Sequence, residues 1–138
     1  MPKTKSKTKK HKVYEYFNDT YGFTTYLFIG EYAKCTEWMC KKFNYKGDDD
    51  DTDINYCGLS WVLSGKDGEI LGYFIWMPKF AFTIDDYVTL SHESLHTAVK
   101  ALHHRGIVLQ GTDTEQLNYL QDAVYRTFLR KLKRGAKK

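Results

Sequence analysis

His92-Glu93-Ser94-Leu95-His96 is the stretch of this chain whose residue types and spacing can do chemistry. Its two imidazoles stand four residues apart, one helical turn, so on a helix they share a side and can clamp one ion. Glu93 lies about 100° around from His92, beside such an ion but too far round to be its third ligand. Two neutral imidazoles and a neighbouring carboxylate are what zinc hydrolysis uses. The metal lowers the pKa of a water, and the carboxylate takes its proton. The plain alternative is two surface histidines flanking an exposed glutamate.

That geometry needs a helix, and the flanking sequence supplies one. From Ile84 to His104 there is neither Gly nor Pro. Thr83 is a candidate N-cap, and Asp85 and Asp86 fall in the first turn, where the helix dipole favours negative charge. Gly106 is the expected stop. Val88, Leu95, Val99 and Leu102 recur on one stripe with Ala98 beside them, and that stripe is expected to face the core with His92 and His96 at its edge.

The remaining elements follow from periodicity and punctuation. Val13 to Phe17 and Phe23 to Ile29 read as strands, and Glu31 to Phe43 as a helix with Tyr32, Cys35, Met39 and Phe43 on one stripe. Residues 46–53 form an acidic loop without the fixed Gly and terminal Glu of an EF-hand, so a solvated connector is expected. Ile54 to Leu63 and Glu69 to Met77 are strands joined by a turn containing Asp67-Gly68, a hairpin signal. The second of these is almost wholly apolar and should be covered on both faces. A last helix starts at Thr112 or Asp113 and reaches about Leu132, with Leu117, Leu120, Val124 and Phe128 inward. The expected class is α+β: a small antiparallel sheet with a helix, a β-hairpin and two C-terminal helices.

At 138 residues the chain has room for one domain. Eleven Tyr, eight Phe and three Trp argue for a packed globule over a disordered chain. The net charge of +4 hides an asymmetry. Residues 1–12 carry six lysines and residues 126–138 carry seven Lys/Arg, with no acid in either. Between them stand eight basic residues against all seventeen acids, a net of −9. The basic arm 1–12 is expected to be disordered and the tail 133–138 to fray around a single domain, 13–132. No apolar run is long enough to span a bilayer, and no signal-peptide core precedes the domain. Three cysteines without C-x-x-C spacing fit a reducing, cytoplasmic setting.

One further ligand is needed, because two histidines and a water leave tetrahedral zinc a protein donor short. His103 shares the face of His92 but lies about 10 Å along the helix from His96. A carboxylate from the last helix is the better source. Here His92-Glu93-Ser94-Leu95-His96-Thr97, Arg105-Gly106-Ile107 and Glu115-Gln116-Leu117-Asn118-Tyr119-Leu120 together resemble the gluzincin branch of the zincin metallopeptidases. The likeness is greatest to small zincin-like proteins encoded by phages and prophages, and it covers roughly residues 23–130. It implies Zn²⁺ held by His92, His96 and Glu115, with Asp113 as the alternative third ligand. Thr112 and Glu115 also fit a capping box.

The resemblance further implies Glu93 as general base and a peptide or protein substrate pairing along Ile70 to Met77 as an edge strand. Tyr119 and Tyr125 are candidates for the oxyanion donor such a reaction requires. The second reading is a binding protein on the same scaffold. Its metal would be structural or vestigial, and its basic ends would engage nucleic acid or another anionic partner.

Overall fold

The computed structural model describes residues 10–44, 56–107 and 115–136. Within them run β1 (Lys12–Asn18), β2 (Phe23–Ile29), α1 (Tyr32–Phe43), β3 (Leu59–Ser64), β4 (Ile70–Met77), α2 (Ile84–His104) and α3 (Glu115–Ala136). The class is α+β, with a β-hairpin and two C-terminal helices as the sequence implies. The acidic run 46–53, Thr112, Asp113 and most of the basic arm lie outside the described residues. No helix among the described residues is long and apolar enough to cross a membrane.

The sheet is mixed where an antiparallel one was expected. Its order is β1-β2-β4-β3. The pairs β1–β2 and β3–β4 are antiparallel, and β2–β4 is parallel. A parallel neighbour requires a crossover, and α1 supplies it. The chain leaves β2, covers one face as α1, reaches the far edge as β3, and turns back at Gly65–Gly68 into the interior position of β4. Strand β4 is therefore enclosed on both faces, as its apolar run requires, and is not the free edge. The edges are β1 and β3.

Alternation along the two central strands builds the layers. Tyr26, Phe28, Phe74 and Trp76 point to α1, where Cys35 and Met39 meet them. Phe23, Leu27, Tyr73, Ile75 and Met77 point the other way, to α2 and α3. On the α1 side Tyr26, Phe74 and Trp61 stack in a row across β2, β4 and β3, with centroids 5.1 and 5.6 Å apart. Such cross-strand aromatic contacts fix register beyond the area they bury.

Both ends of the domain reach further than expected. His11 stacks on Phe28 with centroids 4.9 Å apart, and Lys12 already pairs with Ile29. Helix α3 runs on to Ala136 instead of ending near Leu132, because Leu132 is buried and Gly135 lies against Tyr14. A Cβ at Gly135 would stand 3.0 Å from the Tyr14 hydroxyl, so the last turn of α3 is closely seated on β1.

Candidate functional site

Helix α2 is bounded by local chemistry at each end. The Thr83 hydroxyl accepts from the Asp86 backbone N–H at 3.2 Å, and the Asp86 carboxylate accepts from the Thr83 and Ala81 N–H groups at 3.3 and 2.7 Å. This capping box satisfies amides that the helix itself cannot. At the other end Gly106, at φ 73°, lets Ile107 N–H reach back to the Leu102 carbonyl at 3.0 Å. That reverse turn is a Schellman closure. Arg105 then donates to the carbonyls of Tyr21 and Gly22 at 2.7 and 2.9 Å, tying the helix end to the β1–β2 turn.

The face that α2 buries is the expected one only in part: Leu102 and Ala98 are inside, but Val88 is 61% and Val99 37% exposed. Leu90, Ser94 and Ala101 are inside as well. The facing sheet already offers Phe23, Leu27 and Tyr73, and small residues let the helix lie close to those rings. The buried hydroxyls cost little, because Ser94 donates to the Leu90 carbonyl at 2.7 Å and Thr97 to the Glu93 carbonyl at 3.1 Å.

His92 and His96 consequently stand on the solvent side. Their rings meet edge to face at 4.6 Å, with the two Nε2 atoms 3.0 Å apart. Two nitrogens bound to one tetrahedral zinc at ordinary bond lengths are about 3.3 Å apart, so the pair fits a shared metal with a few tenths of an ångström of adjustment. Glu93 turns from the pair toward the sheet and is only 7% exposed. Its Cγ lies by the backbone of Gly58, just ahead of edge strand β3, where an added Cβ would come within 3.3 Å of it and 2.7 Å of Thr89. Lys100, two turns on from Glu93, donates to the Ser60 carbonyl of β3 at 3.1 Å and holds helix and edge strand together.

Beside His92 a cleft of about 400 Å³ opens between α2 and α3, lined by Tyr87, Val88, Ser91, His92 and Tyr125. Gln121 closes one side by donating to the Ser91 carbonyl at 3.2 Å and to its hydroxyl at 3.3 Å. Burial, and secondarily the neighbouring Tyr87, push the Tyr125 phenol above its ordinary value. Tyr119, the other candidate donor, is 71% exposed. Tyr87, Ser91 and Gln121 were not foreseen from the sequence. Only Ser91, adjacent to His92, carried a positional hint.

Glu115 is exposed at the start of α3. Among the described residues no third His, Cys, Asp or Glu joins the histidine pair. Asp113 lies outside them. Comparison with protein-family models, with curated proteins and with solved structures finds no match for this chain.

Proposed function

We propose that this chain is a zincin-like, zinc-dependent peptidase of the gluzincin type, with His92 and His96 as metal ligands and Glu93 as general base. The observation that carries the proposal is the 3.0 Å approach of the two imidazole Nε2 atoms on the solvent side of a helix capped at both ends. A bound zinc ion would supply Lewis acidity to a water and to a substrate carbonyl. The protein's own groups would do the rest. Glu93, which is 7% exposed and lies against Gly58, would turn toward the pair to accept a proton from the attacking water and pass it to the leaving amine, the relay such hydrolysis requires. Tyr125, across the cleft from His92, would donate to the oxygen on which charge develops. The resemblance implies Glu115 as third protein ligand, with Asp113 as the alternative; Glu115 stands apart from the pair in this structure and would have to be brought to it.

An extended substrate would lie along β3 in place of β4, since β3 is the edge strand of the described sheet next to Glu93. The test is a pair of variants, each examined for zinc content by elemental analysis and for hydrolysis of a peptide library. Glu93→Gln should keep the metal and lose at least ~10²-fold in rate, because an amide cannot relay a proton. Glu115→Gln should lose zinc first and activity as a consequence. A Glu93→Gln protein that hydrolyses peptides at the wild-type rate would remove Glu93 from the mechanism.

A further inference from the structure

Away from the histidines, the two basic ends of the chain meet. A cavity of about 580 Å³ lies where the start of β1, the β4–α2 connection and the end of α3 come together, and none of its lining residues belongs to the His92 cleft. Lys10, Lys12 and Lys79 line it, against the single carboxylate of Glu31. Its apolar wall includes Tyr14, Phe80 and Phe82. Leu132 and Ala136 of the last turns of α3 complete the rim.

Two features mark this cavity off from an ordinary solvated face. The first is charge segregation: residues 13–125 carry a net −9, and the fold sets Lys10 and Lys12 together with Lys79 in one recess beside Leu132 and Ala136 of α3. An acidic body with a cationic recess orients a polyanion toward that recess. The second is the aromatic wall. Phe80 and Phe82 are half-buried and meet edge to face at 5.1 Å, and Phe82 is held at φ 59°, a conformation a bulky side chain rarely adopts.

We infer that this recess binds single-stranded nucleic acid, with lysines on the phosphates and a base against the aromatic wall. Cations combined with ring faces are what sequence-tolerant single-strand binding uses. A duplex keeps its bases stacked away from such a wall, and a bilayer surface matches a flat basic patch better than a cavity.

The test is fluorescence anisotropy of the full chain with a short labelled oligothymidylate across a salt series. Lys10→Ala/Lys12→Ala/Lys79→Ala should bind at least tenfold more weakly. It should also lower the slope of log affinity against log salt by about 2, since each lost phosphate contact removes about 0.7. Lys34→Ala/Lys41→Ala/Lys66→Ala, an equal loss of charge on exposed α1 and hairpin positions, should bind as the wild type does. Should the first triple variant melt early, Lys79→Glu at an exposed connection residue serves instead, with a several-fold loss expected. A duplex of the same length should bind more weakly than the single strand, and Phe80→Leu should narrow that preference. Equal weakening by the two triple variants would show that net charge alone attracts the strand and overturn the site. Absence of binding, or binding to phosphatidylserine vesicles without binding to the oligonucleotide, would overturn it as well.

Discussion

The two sides of α2 separate most of the core packing from the histidine pair, while Glu93, the proposed base, is 7% exposed on the sheet side. Inward lie Leu90, Ser94, Thr97, Ala98, Ala101 and Leu102, each nearly without solvent contact and each polar one returned to its own helix. Outward lie Ile84, Val88 and Val99 with the two histidines, apolar residues that the fold leaves in water. Hydrophobicity alone would put Ile84, Val88 and Val99 inside and Ser94 and Thr97 outside. What decides is fit: rings from the sheet fill the space under the helix, so compact residues belong there. The larger aliphatic side chains are left beside the site, where they are free to contact whatever enters it.

This division predicts unequal responses to truncation. Leu90→Ala should destabilise by ~2–5 kcal/mol, since it leaves a cavity in the core between the sheet and the two C-terminal helices. Val88→Ala, two positions away but exposed, should stay within ~0.5 kcal/mol. Urea denaturation of both variants measures the difference. Equal losses would mean that the outward valines are packed after all.

An inside–outside contrast of the same kind exists among the cysteines. Burial pushes the Cys35 thiol up to about 12 from an ordinary 9.0, whereas Cys57 is exposed. A group raised in the folded state stabilises fully below its unfolded value and loses that contribution as pH climbs through the folded one. The melting temperature should therefore fall between pH 9 and about 12. Tyr14, Tyr26, Tyr32 and Tyr73, all raised chiefly by burial, steepen the fall above pH 10. At pH 8 a thiol reagent should label Cys57 at once and reach Cys35 only on unfolding.

Gly58 tests the boundary between the two sides. Its missing Cβ is what allows Thr89 and Glu93 to press against the chain entering β3. Gly58→Ala should cost ~1–3 kcal/mol through overcrowding. Because it displaces Glu93 and not the imidazoles, it should lower hydrolysis more than zinc content.

How much of this was legible depended on how local the cause was. The bounds of α2 could be read from the sequence because Thr83, Asp86 and Gly106 act within one turn of the residues they cap. The i, i+4 histidine pair followed for the same reason. The inward face of α2 could be read only in part, since it depends on which rings β2 and β4 present. The parallel β2–β4 pairing depends on where α1 sets the chain down, and alternation within a strand says nothing of its neighbour. The end of α3 was misplaced because Gly135, a helix breaker in isolation, is held by contact with Tyr14. A third metal ligand is a tertiary property too, and Glu115 was reached through a resemblance of pattern and not through geometry.

The smallest stability effect is expected at the site itself, and there it is informative. His92 and His96 are exposed, and their mutual contact is at most one hydrogen bond open to solvent. Without metal, His92→Ala/His96→Ala should melt within a degree or two of the wild type, since exposed substitutions rarely exceed ~0.5 kcal/mol. With zinc the two proteins should separate. A ligand bound only by the folded state at a hundred times its dissociation constant adds ~2.7 kcal/mol, several degrees in a domain of this size. The wild type should show that rise on zinc addition and lose it with a chelator, and the double variant should show neither. A zinc-dependent rise of the same size in both proteins would place the metal elsewhere and leave the outward side of α2 as surface alone. A variant unfolded without zinc would instead show that the imidazoles carry structure, erasing the division between the two sides of the helix.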